Sequence, residues 1–77
     1  MSTLEIKTAI ATAEVMGTKS AMENTSRVPH HNNEFRNFLY SLDVKEATTT
    51  NFKIAAKITK AFANNYTMQL LKMAATK

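Results

Sequence analysis

The chain has 77 residues, no cysteine, one glycine and one proline, 44% hydrophobic residues and a formal net charge of +4. That length makes a single domain over residues 1–77, with a small core and a net stability of roughly 3–5 kcal/mol. Disulfides, thiol chemistry and cysteine-built zinc sites are excluded, the hydrophobic content is too high for a disordered tail, and the wealth of Ala, Lys, Glu, Met and Leu favours helix.

The first stretch, MSTLEIKTAIATAEVM, carries acidic residues and no unbroken apolar core, so it does not read as a secretory signal. Nowhere does an apolar run approach the roughly 18 residues of a membrane span. Ser2 and Glu5 have the spacing of a capping box, which predicts a helix over about 3–24. Ile6, Ile10, Ala13 and Gly17 fall on one face of it, flanked by Ala9, Met16, Ser20 and Ala21. Within that face Ala9, Ala13, Gly17 and Ala21 are spaced by four, forming a flat strip on which another helix can lie closely. Gly17 lowers helix propensity by about 1 kcal/mol but lets a neighbouring backbone approach.

The same helix has a second apolar line, Leu4, Ala11, Val15 and Met22, on the opposite side. A helix with two apolar stripes either lies centrally in its own fold or offers one stripe to a partner. Only two other helices are expected in this chain, so covering both sides is difficult. These four residues are therefore the candidate protein interface, for a partner protein or a second copy of the chain.

Around Gly17, the segment AEVMGTKSAMENTSRVP also bears a faint likeness in spacing to a helix-turn-helix. A recognition helix over Thr18–Arg27 would display Lys19, Ser20, Glu23, Asn24 and Arg27. Its inner side would have only Ala21, Met22 and Thr25, with Glu23 and Ser26 where apolar anchors are wanted. Glu23 would also meet phosphate unfavourably. A continuous helix through Gly17 is the better reading.

Residues 24–33, NTSRVPHHNN, form the clear loop, because Pro29 forbids helix and the polar turn-formers around it have no period. His30 and His31 with Glu34 do not amount to a metal site: adjacent histidines and one carboxylate define no coordination geometry. Asn32 or Asn33 caps a short helix over about 33–42, whose Phe35, Phe38, Leu39 and Leu42 follow at i, i+3, i+4 and i+7. Asp43 with Glu46 has the spacing of a further capping box, and the Thr48–Asn51 run reads as a break.

The last helix is expected over about 51–75. Ile54, Ala55, Ile58, Phe62, Tyr66, Leu70 and Met73 share its inner face, with Asn65 and Gln69 as polar intrusions. Lys53, Lys57 and Lys60 share the outer face. All six acidic residues lie at or before Glu46, and the five lysines beyond it have no acidic neighbour in sequence. The positive excess therefore belongs to this helix. Its lysines suit an acidic protein surface or the phosphates of nucleic acid; the plain alternative is a solvated face that keeps a small protein in solution. With no arginine or exposed aromatic among them, stacking on single-stranded bases is disfavoured.

No segment alternates as a strand would, so the expected fold is all-α: a small up-down-up three-helix bundle, two longer helices flanking a short one. Catalysis has no constellation to carry it, neither paired carboxylates, nor a glycine-rich phosphate loop, nor a nucleophile with a base. The expectation is a non-enzymatic helical interaction protein, a regulator, inhibitor or assembly component, without cofactor, small-molecule substrate or membrane attachment. A cytoplasmic setting is expected, and a phage or mobile-element origin (host cytoplasm, in that case) suits so compact a chain. The alternative is a nucleic-acid-binding protein using Lys53, Lys57 and Lys60, or a degenerate helix-turn-helix.

Overall fold

The computed structural model describes residues 1–23, 31–44 and 46–75. They form three helices, α1 (Thr3–Met22), α2 (Asn33–Ser41) and α3 (Thr49–Ala75), with no strand among the described residues. The chain is all-α, as expected for a small helical bundle.

Each helix starts where a side chain satisfies the free amides of its first turn. At α1 the Ser2 hydroxyl accepts from the Glu5 amide at 3.1 Å, and the Glu5 carboxylate accepts from the Ser2 amide at 3.1 Å. Donation from the Ser2 backbone amide, and after it from the Ser2 side chain, holds the Glu5 carboxyl below the usual carboxylate range, because it favours the charged form. At α2 the Asn32 side-chain oxygen accepts from the Phe35 amide at 2.9 Å. The other end of the same amide group donates to the Ser20 hydroxyl at 3.1 Å. One buried side chain thus caps α2 and ties it to α1.

The start of α3 departs from expectation. The helix begins at Thr49, two residues before Asn51, and the threonine run is its first turn. The Thr48 hydroxyl accepts from the Asn51 amide at 3.1 Å, which is the work of a capping residue. No helix begins at Asp43, so the Asp43/Glu46 pair caps nothing. Of the expected loop, residues 24–30 lie outside the described residues, and with them Pro29 and His30.

Among the described residues, α1 and α3 share the most extensive helix–helix contact. Its cause is the small-residue strip: Ala9, Ala13, Gly17 and Ala21 are all buried. Facing them is a second row spaced by four, Ile54, Ile58, Phe62 and Tyr66, also buried. Rows of this spacing interdigitate as ridges into grooves, and small residues on one side let large ones from the other settle between them. Gly17 lies where no side chain fits, since a Cβ there would collide with the Phe62 carbonyl oxygen and come within 3.1 Å of the Tyr66 nitrogen. The wider residues of α1's inner face, Ile6, Ile10 and Met16, are half-buried at the margins of the contact.

The short α2 lies beside this pair and seals one flank. Phe35 is fully buried and stacks on Phe62, with ring centroids 4.4 Å apart and planes 29° from parallel. Phe38, Leu39 and Leu42 pack half-buried around the same core. Burying a ring of this size contributes roughly 1.5–3 kcal/mol, so Phe35 and Phe62 together rival the net stability of the fold. Asn32 meets Ser20 near α1's C-terminal end, whereas Leu42 and Phe38 line a depression with Met1 and Leu4 at its start. Accordingly α2 runs back along α1, and α3 then ascends beside α1, which gives the up-down-up order.

At 27 residues α3 outlasts α1, which has 20, and it sets the long dimension of a body 44 × 22 × 16 Å. Its buried row therefore stops at Tyr66. Leu70, expected on the inner face, is exposed, and Met73 is half-buried, because their turns lie at or beyond the level where α1 ends. Ala55 is half-buried as well, at the edge facing Val44 and Leu39 of the α2 end.

Candidate interaction surfaces

Gly17 is an interior residue of α1, in helical conformation and packed on α3. It makes no turn. Thr18–Met22 of the recognition helix considered above belong to α1 itself, and Asn24–Arg27 lie outside the described residues.

The four residues of α1's second stripe all reach solvent. Leu4 is 74% exposed, Val15 68% and Met22 64%, and Ala11 is exposed too. The reason is positional: the face that carries Ala9, Ala13 and Gly17 is occupied by α3, and the flank by α2, so among the described residues no element covers the remaining side. Ala11, Val15 and Met22 share one shallow depression with Glu14, Thr18, Lys19, Glu23 and, from α3, Asn65. Leu4 opens instead on the depression at the Met1 end, beside Phe38 and Leu42. The stripe is continuous along the helix but divided between two surface hollows.

Charge flanks this stripe. Lys19 reaches Glu34 of α2 at 3.8 Å, with both side chains largely in solvent, so the pair adds little to stability. The Thr18 hydroxyl donates to the Glu14 carbonyl oxygen at 3.1 Å, and the Thr12 hydroxyl to that of Thr8 at 2.9 Å. These threonines satisfy their donors within their own helix and remain compatible with an apolar neighbour.

On α3, Lys53, Lys57 and Lys60 are exposed on the side away from the buried row. Phe52, at 78% the most exposed large hydrophobic residue described, immediately precedes Lys53. Phe52 belongs to the first turn of α3, about 100° around the helix from Lys53. Tyr40, also exposed, borders a hollow with Leu39, Val44 and Ala55, and Phe52 borders the next one, which also contains Val44 and Ala55. At the opposite end Met68 and Leu71 are exposed on the last turns of α3.

The polar intrusions on α3 are locally satisfied in one case: the Asn65 amide donates to the Ala61 carbonyl at 2.9 Å. Every buried side-chain nitrogen or oxygen among the described residues has a partner. His31 is exposed, and among the described residues no three His, Asp or Glu side chains gather as a metal would require. No helix described is long and apolar enough to cross a membrane. No known protein family, characterised protein or solved structure matches the chain.

Proposed function

We propose that this chain is a small non-enzymatic interaction protein, acting in the cytoplasm as a regulator, inhibitor or assembly component through the outer face of α1. The observation that carries the reading is the exposure of Leu4, Val15 and Met22 on a helix whose opposite face is already filled by α3. Large apolar groups aligned on one side of a rigid helix are the usual anchors of helix-mediated recognition. Truncating a well-buried anchor of this kind typically weakens binding by more than about 1 kcal/mol. The lysines of α3 supply a long-range field that steers the chain toward acidic surfaces and raises its association rate.

A photo-crosslinking residue replacing Val15, used in host lysate with and without nuclease, tests this reading. Protein adducts that survive nuclease and disappear with Met22→Glu support it. Adducts equally abundant from an exposed control position on α2, such as Asn37, would refute it.

One observation favours a second reading, nucleic-acid binding: Lys53, Lys57 and Lys60 form an exposed basic face on α3, away from its buried row. Lysines one turn apart on a helix can meet successive phosphates and release their counterions. The signature of such binding is affinity that falls steeply with salt and is lost in the Lys53→Ser, Lys57→Ser, Lys60→Ser triple variant.

A further inference from the structure

We infer that the occupant of α1's outer face is a second copy of this chain, joined through a parallel two-helix seam. The inference rests on the reading of that face as a protein interface and names its partner. The first argument is the shape of the stripe. At 3.6 residues per turn, Leu4, Ala11, Val15 and Met22 fall within about 40° of one another. A helix that packs on a mixed surface presents an apolar arc of at least about 100°, whereas a line this narrow suits one facing helix. Inserting Thr8 and Thr18 completes an alternating four-three series, Leu4, Thr8, Ala11, Val15, Thr18, Met22, which is a heptad seam. Thr18 is compatible with it because its hydroxyl is already bonded to Glu14 within the helix.

Charge complementarity selects a like partner and its direction. One flank of the seam holds Glu5, Thr12 and Lys19, and the other holds Lys7 and Glu14, followed by the buried Ala21. In a parallel pair, each residue of the second flank meets the residue five positions later on the first flank of the other copy. Glu14 then faces Lys19, and Lys7 faces Thr12, twice over by the two-fold symmetry. An antiparallel pair in full overlap would set Glu5 against Lys19 twice, but would also bring Glu14 against Glu14 across the axis. The parallel arrangement alone has no like-charge contact at these positions. Lys19 is available for it, since its link to Glu34 is long and solvated.

The net charge of +4 per chain does not oppose this dimer. Lys53, Lys57 and Lys60 lie on the side of α3 turned away from α1, so the two basic stripes end on the outer faces of the pair.

Sedimentation equilibrium of the full chain, raised through the micromolar to millimolar range, reads the mass against the 8.6 kDa monomer. The expected result is a reversible dimer that Val15→Glu weakens more than tenfold while far-UV circular dichroism stays unchanged. Glu14→Lys or Lys19→Glu alone weakens it several-fold, and the two together restore it. Rescue by the double exchange is a readout the Lys19–Glu34 contact cannot mimic. Because the chain has no cysteine, Val15→Cys oxidises to a covalent dimer if the seam is parallel, since like positions then face each other. A mixture of Ala11→Cys and Val15→Cys that links to each other in preference to themselves would overturn the parallel seam. A chain that stays monomeric, or a dimer indifferent to Val15→Glu, would overturn the inference altogether. If the chain is monomeric yet a different protein crosslinks at Val15 in lysate, self-association falls and the interaction reading stands. If neither occurs, both fall.

Discussion

Gly17→Ala is the sharpest test of how α1 and α3 are held together, because two effects of opposite sign compete there. In a helix open to solvent, alanine for glycine stabilises by about 0.8–1.0 kcal/mol through backbone propensity. At Gly17 the added methyl would overlap the Phe62 carbonyl oxygen and sit 3.1 Å from the Phe62 carbonyl carbon and 3.1 Å from the Tyr66 nitrogen. All three are main-chain atoms in the middle of a long helix, so no rotamer change relieves the overlap. The helices must part by roughly 1 Å to reach ordinary contact distances of about 3.5 Å. That loosens the packing of the neighbouring buried residues Ala13 and Ala21 against α3. Overpacking of this sort destabilises by about 1–3 kcal/mol, and rigid backbone neighbours place Gly17 at the upper end. The net expectation is a loss of about 2 kcal/mol, out of a total of roughly 3–5. For a domain this small it corresponds to a fall in Tm of about 8–16 °C, measured by far-UV circular dichroism. Ala56→Gly, at an exposed position of α3, supplies the control, with a loss of about 1 kcal/mol from propensity alone. A Gly17→Ala protein as stable as the parent, or more stable, would refute the close approach of α1 and α3.

Other expectations follow from the caps and the charged face. Asn32→Ala removes both the cap of α2 and the link to Ser20, and should destabilise by about 1–3 kcal/mol in urea unfolding; a value near zero would mean that α2 is not anchored through this residue. The Glu5 carboxyl is held below its usual range by the bonds to Ser2, so its folded pKa lies below the unfolded one. Its contribution is therefore present above the unfolded pKa and lost as pH falls through the folded value. The stability difference between parent and Glu5→Ala should shrink on acidification through the carboxylate range; a difference independent of pH would contradict the charged cap. The Lys53→Ser, Lys57→Ser, Lys60→Ser triple variant should melt within about 2–4 °C per substitution of the parent, because exposed positions of this kind alter stability by about 0.5 kcal/mol or less. Its effect should appear instead in slower, less salt-dependent association with an acidic partner.

What the sequence settled by itself is what local chemistry controls. The Ser2/Glu5 box, an asparagine cap at Asn32 or Asn33 and the four-residue spacing of Ala9, Ala13, Gly17 and Ala21 are short-range patterns, and amide capping and side-chain angle on a helix depend on only a few neighbouring residues. The separation of Lys53, Lys57 and Lys60 from Ile54, Ile58 and Phe62 is legible for the same reason. The start of α3 was less so, since threonines serve equally as break or first turn, and only the bond from the Asn51 amide to the Thr48 hydroxyl decides between them. Tertiary structure alone decided which apolar residues are buried. Leu70 has the same helical phase as a core residue and yet lies in solvent, because burial needs an element opposite it and α1 has ended there. Val15 and Ala13 stand two positions apart on one helix, one exposed and the other fully buried, because α3 can pack closely only on the side where Gly17 admits its backbone. Periodicity marks out the faces of a helix, but the lengths of its neighbours and the space between their backbones determine which face is covered.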